Sequence, residues 1–113
     1  MKEFALLFRQ PSYDHLELPE AEQAALLKKW QDWLGGIAAQ GRLAMPPTRL
    51  IPGAGKVLKP GGVVTDGPFV EIRERLGGLT VIRAENLEEA TTLAHGCPAI
   101  DYGGSVEIRQ VMG

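Results

Sequence analysis

Asp66 and His15 are the side chains of this sequence best suited to move a proton. Asp66 opens an Asp-Gly-Pro turn, in which Gly67 permits a positive φ and Pro68 fixes its own, so the carboxylate is held on a stiff frame. A carboxylate shielded from water has a raised pKa and can then act as a general acid or base. The alternative is a structural turn in which Asp66 bonds its own backbone. The residues leave both interpretations open, and His15, in a loop before a long helix, is the second proton-shuttle candidate.

Four further side chains could hold a ligand near such an acid. Arg9 and Arg109 lie in apolar, strand-like segments and are suited to clamp an anion, while Trp30 and Phe69 supply aromatic walls. Each has a structural alternative. Arg109 is two residues from Glu107 and is suited to an ion pair, Arg9 to capping a sheet edge, and Trp30 to core packing.

Metal and cofactor chemistry find no support in the motifs. His15, His95 and Cys97 lack the dense ligand spacing of a zinc site. The sequence also contains no Gly-x-Ser-x-Gly elbow, no phosphate-binding loop and no dinucleotide Gly-x-Gly-x-x-Gly fingerprint. We therefore expect neither a metal nor a cofactor.

Length and charge limit the classes of protein to which this chain could belong. A chain of 113 residues predicts one domain over residues 1–113. The formal charge of −2 argues against a basic nucleic-acid-binding face, and no apolar run approaches the roughly 20 residues that span a bilayer. A single cysteine, Cys97, excludes an internal disulfide and is typical of the cytoplasm. We expect a cytoplasmic protein that binds neither nucleic acid nor membrane.

The first half of the chain predicts a strand and a long helix. Residues 4–8 form an unbroken apolar run, which is typical of a strand buried on both faces. An amphipathic pattern then predicts a helix from Pro19 to about Gln40, with Gly41 as its stop. Gly35 and Gly36 are unfavourable inside a helix, and we expect them to permit close approach of a neighbouring strand or subunit.

The second half predicts short strands and a short helix. Asn86 is a suitable N-cap with Glu89 completing a capping box, Leu87 contributes to the buried stripe of the helix, and Pro-Gly-Gly at 60–62 predicts a tight reversal. The predicted strands are 48–51, 56–58, 63–65, 79–84 and 105–111.

This order of elements is the split βαβ, ferredoxin-like α+β pattern, an antiparallel sheet with two helices on one face. Since the first strand is apolar on both faces, the face opposite the helices should also be covered. A second subunit stacked sheet against sheet is the economical solution, so we expect a homodimer.

The chain also resembles a known family. The motifs that carry the likeness are Val64-Thr65-Asp66-Gly67-Pro68-Phe69 with Glu71, Leu76-Gly77-Gly78, Cys97-Pro98 and the terminal 104–109 segment. They resemble the YCII-related, DGPF-domain family, and the likeness implies a dimeric α-β barrel with a cleft in each subunit. Some relatives are thought to use a His–Asp pair, with the histidine in the first long helix. Residues 19–40 contain no histidine, so only Asp66 corresponds to that pair.

Two classes of function follow from these residues and this resemblance. One is a cofactor-free acid/base enzyme of the isomerase or lyase type acting on a small cyclic or aromatic anion. In that class Asp66 moves the proton, Arg9 or Arg109 holds the charge, and Trp30 or Phe69 walls the pocket. The other is a non-catalytic, small-ligand-binding or regulatory dimer, which the resemblance links to sigma-factor-associated transcription.

Overall fold

A computed structural model describes residues 1–10, 18–51, 54–67 and 75–113 of the chain. Within these residues the elements follow the order strand, helix, three strands, long strand, helix, strand. They are β1 (Lys2–Gln10), α1 (Glu20–Ala39), β2 (Leu43–Arg49), β3 (Lys56–Lys59), β4 (Val63–Asp66), β5 (Arg75–Ala84), α2 (Leu87–Ala94) and β6 (Ser105–Gln110).

The main sheet is antiparallel and has the strand order β2-β5-β1-β6. Because β1 and β5 are central and the helices follow β1 and β5, this is the predicted ferredoxin-like α+β arrangement. Strands β3 and β4 follow β2 and precede β5 along the chain, and they form a separate antiparallel hairpin. Its reversal at Pro60–Gly62 confirms the predicted turn. Gly61 and Gly62 have φ of 84° and 78° there, which a side-chain-bearing residue rarely adopts.

Both helices of the described chain cover one face of the sheet. Phe4, Leu6 and Phe8 are alternate residues of β1, and all three point to that face. They form one buried cluster with Ile37 of α1 and Ala90 of α2. The hydroxyl of Thr80, also fully buried, donates a hydrogen bond of 3.0 Å to the carbonyl of Met45. The core therefore lies between the helices and the sheet.

The helix ends follow the predicted signals. Helix α1 starts directly after Pro19, and Gly41 beyond its end has a φ of 71°. The Asn86 side chain accepts a 2.8 Å hydrogen bond from the Glu89 amide, as predicted, while the Glu89 carboxylate accepts from the amide of Glu85. The return bond of the capping box is thus displaced by one residue.

Four predictions about local structure were wrong. Strand β2 begins at Leu43 and passes through two prolines, which is tolerated because β2 lies at an edge of the sheet. Strand β5 begins four residues before the predicted start, at Arg75. Leu87 is half exposed instead of buried. For Gly35 and Gly36, a neighbouring strand is wrong within the described part of the chain, since a Cβ added at either would have no neighbour within 4 Å, while a neighbouring subunit stays a prediction.

Candidate functional site

Three charged side chains meet on the sheet face opposite the helices. The Nε of Arg9 lies 3.3 Å from one carboxylate oxygen of Glu107, and the Nη1 of Arg109 lies 3.1 Å from the other. We call these three residues the arginine–glutamate cluster. The Arg109–Glu107 ion pair was predicted as the structural alternative for Arg109, whereas the contact of Arg9 on β1 with Glu107 on the neighbouring β6 was not predicted.

The register of the sheet explains why these side chains meet. Leu7 of β1 pairs with Glu107 and Arg9 pairs with Ser105, so Arg9 lies diagonally across from Glu107. Alternate residues of a strand point to opposite faces. Val106 and Ile108 therefore pack against the core, whereas Glu107 and Arg109 face away from it.

The cluster favours the ionised form of Glu107 and presents one exposed guanidinium group. The hydrogen bond from Arg109 is the main cause that holds the pKa of Glu107 below its usual value, and the nearby charge of Arg9 acts in the same direction. Since the Arg109 side chain is 70% exposed, it retains donors that can reach an anionic ligand.

Apolar side chains lie beside the cluster on the same face. The sheet register pairs Ala5 with Val81, Leu7 with Leu79 and Met45 with Val81. All five are half-buried in the single chain. The surface therefore combines aliphatic contact area with two cations at one side, a combination suited to a ligand with an apolar body and an anionic group.

Asp66 lies at the end of β4, on the hairpin. Its register partner in β3 is Lys56, and the Lys56 Nζ lies 3.1 Å from the Asp66 carboxylate. The Asp66 side chain is fully exposed in the single chain, so it is not shielded from water as a proton-transfer site would require. This pair was not predicted, although the reversal at Pro60–Gly62 places residues 56 and 66 opposite each other.

Trp30 packs in the core on the helix-covered side. Its ring meets the ring of Phe8 edge-to-face at 5.0 Å and that of Trp33 at 5.7 Å. The Trp33 indole donates a 2.9 Å hydrogen bond to the Leu93 carbonyl, tying α1 to α2. This packing is the structural alternative for Trp30, and it places Trp30 on the opposite side of the sheet from the arginine–glutamate cluster.

The predicted site residues are thus brought together only in part. Arg9 and Arg109 meet through Glu107, while Asp66 and Trp30 lie on other parts of the fold within one chain. His15 and Phe69 lie outside the described residues. Their proposed roles stay predictions.

Other chemistries have little basis among the described residues. Burial raises the pKa of Cys97 to about 11, so its thiol is protonated at neutral pH and is a poor nucleophile. No three His, Cys, Asp or Glu residues in the described ranges are grouped as metal ligands. In the same ranges, neither helix combines the length and the apolar composition needed to cross a membrane.

Comparison with known proteins supports the motif resemblance. No curated protein matches the chain. The family model of the YCII-related domain matches residues 4–113, which include both central strands, both described helices, the hairpin and the arginine–glutamate cluster. This chain therefore belongs to the YCII-related domain family.

Proposed function

We propose that the protein is a homodimer that binds a small cyclic or aromatic anion at the uncovered sheet face and acts on it by cofactor-free acid/base chemistry. The observation that carries this proposal is the arginine–glutamate cluster, in which Arg9 and Arg109 share the carboxylate of Glu107. The exposed guanidinium group of Arg109 gives the anionic group a partner. The neighbouring aliphatic residues give a ring its contact surface.

The second subunit is part of the proposal because the anion site is open to water in a single chain. Leu7, Leu79 and Val81 are only half-buried there. Stacking a second sheet on this face removes the apolar surface from water, which stabilises the complex by about 25 cal/mol per Å² buried. It also lowers the local dielectric constant, so the guanidinium groups attract an anion more strongly. As part of the same proposal, we place the dimer in the cytoplasm, the compartment suited to its single thiol.

The proposed chemistry requires one proton carrier. Asp66 removes a proton from a carbon next to the charged or carbonyl group of the ligand, and the electron pair of that C–H bond is delocalised into the group. Return of the proton at another carbon completes an isomerisation. Loss of a leaving group such as chloride completes an elimination. His15 is the second proton carrier of this proposal, whereas Trp30 has no part in it because it packs in the core.

A non-catalytic ligand-binding or regulatory dimer, including one associated with sigma-factor-linked transcription, is the second candidate. The observation that favours it is the state of Asp66 in the single chain, where the side chain is fully exposed and paired with Lys56. An exposed carboxylate in an ion pair with lysine lacks the enclosure of a catalytic pocket. The same anion site would then serve only recognition.

Binding is tested with benzoate as the probe and benzamide as its neutral counterpart, followed by chemical shifts in two-dimensional NMR spectra. We expect benzoate to shift resonances of β1 and β6 and benzamide to bind more weakly. Arg109→Gln should weaken benzoate binding about tenfold or more, because a hydrogen bond to a charged group contributes ~1.5–3 kcal/mol. Lys28→Gln removes one positive charge from the exposed face of α1 and should leave binding unchanged. Equal affinity of the Arg109 variant and the wild type would contradict the anion site.

Catalysis is tested separately with Asp66→Asn. Under the enzyme proposal this variant loses turnover of any substrate found, while its melting temperature stays close to that of the wild type because the side chain is fully exposed. Retained turnover would contradict the catalytic role of Asp66. Loss of turnover together with a large fall in melting temperature would identify Asp66 as a structural turn residue.

A further inference from the structure

One row of residues crosses the sheet face opposite the helices, with a cation at one end and apolar side chains beyond it. The sheet register aligns its members strand by strand as Arg109 on β6, Ala5 on β1, Val81 on β5 and Met45 on β2. Directly opposed residues of neighbouring antiparallel strands have Cβ atoms about 5 Å apart. Each side chain of this cross-strand row therefore borders the next one.

Ala5 forms a depression in the cross-strand row. Its side chain is a single methyl group, whereas Val81 beside it and Leu7, two residues further on the same face of β1, carry larger side chains. Ala5 is nevertheless only half-buried, so the rest of the chain does not close the space above it. Small-molecule sites are concave and largely apolar. A short residue between longer ones gives this face such a concave position.

Charge favours the position above Ala5 for a ligand with an anionic group. Arg109 lies opposite Ala5, and its side chain is 70% exposed. The Arg109 Nη1 lies 3.1 Å from the Glu107 carboxylate, so this side chain extends along β6 instead of across Ala5. Leu7, by contrast, lies opposite Glu107, whose carboxylate repels an anion. The anionic end of a ligand is therefore attracted to the Arg109 end of the row.

A second carboxylate restricts how such a ligand lies on the sheet. Glu3 is two residues from Ala5 on the same face of β1, and its register partner on β5 is Arg83. A ligand lying along β1 brings its anionic group toward Glu3, whereas a ligand lying across the strands keeps that group at Arg109. The apolar body then extends from Arg109 over Ala5 toward β5.

We propose that Ala5 determines the size of the ligand: a carboxylate attached directly to one ring binds across the strands, with the carboxylate on Arg109 and the ring in the depression over Ala5. This inference rests on the anion site of the proposed function and adds the residue that selects the ligand. Neighbouring strands lie about 4.8 Å apart, so a ring joined directly to its carboxylate reaches from β6 to β1. A ring on a longer linker extends past Ala5 onto Val81.

Enlarging Ala5 tests the inference through benzoate affinity, measured by NMR titration. We expect Ala5→Leu to weaken binding at least tenfold and Ala5→Val to weaken it by a smaller factor, because the added carbon atoms occupy the space of the ring. Valine is favoured in strands, so the second variant keeps the fold. The control Ala25→Leu, at an exposed position of α1, should bind as the wild type does. Equal affinity of Ala5→Leu and the wild type would overturn the inference but leave the anion site, which Arg109→Gln tests. If the wild type does not bind benzoate, both are wrong.

Two further measurements separate a ligand in the depression from a side chain of the partner subunit. In the wild type we expect nuclear Overhauser effects between the ring protons of bound benzoate and the Ala5 methyl group. Effects at other methyl groups without one at Ala5 would overturn the inference. We also expect Ala5→Leu to sediment with the same mass as the wild type. If this variant instead dissociates at concentrations at which the wild type does not, the partner fills the depression and the inference is wrong.

Discussion

The two faces of the main sheet differ in what covers them, although the same strands build both. On β1, Phe4 and Leu6 are fully buried beneath the helices, while the intervening Ala5 and Leu7 are only half-buried on the other face. The side chains of the two faces are similarly apolar. Among the described residues the two faces therefore differ in what packs on them more than in how apolar they are, which is why we expect a second subunit.

The two faces of the sheet also differ in charge. Around the helix-covered face lie the packed rings of Phe8, Trp30 and Trp33. The uncovered face carries Arg9, Glu107 and Arg109 in contact with one another. Aromatic packing thus dominates one side of the sheet and charged side chains mark the other, which is why the ligand site is proposed on the face opposite the helices.

The largest expected effect comes from truncating one leucine on each face of β1. Leu6→Ala should lower the free energy of unfolding by about 2–5 kcal/mol, because Leu6 is fully buried and its loss leaves a cavity. Leu7→Ala, its neighbour on the uncovered face, should cost the folded subunit much less and should mainly weaken association. Chemical denaturation at several protein concentrations measures both effects. Equal, concentration-independent losses would contradict the comparison.

Alanine substitutions at two glycines should change stability by smaller amounts, and in opposite directions from each other. A Cβ at Gly78 would lie 2.6 Å from the Thr48 carbonyl oxygen, so Gly78→Ala should destabilise the fold by about 1–3 kcal/mol. Gly35 on α1 has no neighbour within 4 Å of such an atom, so Gly35→Ala should stabilise the helix by ~0.5–1 kcal/mol. Thermal unfolding compares the two. A loss of stability in the Gly35 variant would instead indicate a close neighbour in the dimer.

The smallest effect concerns the titration of Glu107. Its pKa is lowered from 4.5 in the folded chain, so the ionised group stabilises the fold above that value and loses this contribution as the pH falls through the folded-state pKa. Arg109→Gln removes the main cause and should raise the titration midpoint of Glu107 in carboxyl-detected NMR. Lys28→Gln serves as the control and should leave that midpoint in place. An unchanged midpoint in the Arg109 variant would exclude the ion pair in solution.

Local signals in the sequence predicted the elements whose causes are local. The Asn86 cap, the Gly41 stop and the apolar run that predicts β1 act within a few residues, and the structure confirms the cap, the stop and the strand. The wrong predictions of strand bounds concern features that long-range contacts determine. Gly78 lies inside a strand because the β2 backbone approaches it, and proline-containing β2 persists because it lies at an edge.

The candidate site shows the same division. The pairing of Glu107 with a nearby arginine followed from strand periodicity, whereas its contact with Arg9 depends on the register between β1 and β6. The exposure of Asp66 depends on the hairpin lying apart from the main sheet. Composition and spacing carry no information about that placement. Candidate residues could therefore be chosen from the sequence, but their arrangement in space could not be predicted from it.

The most direct test of the account is the mass of the protein in solution, measured by sedimentation equilibrium at micromolar concentration. If a second copy covers the sheet face opposite the helices, the protein should sediment at twice 12.2 kDa. A stable species of 12.2 kDa would leave that face in water and contradict the proposed dimer and the ligand site that depends on it.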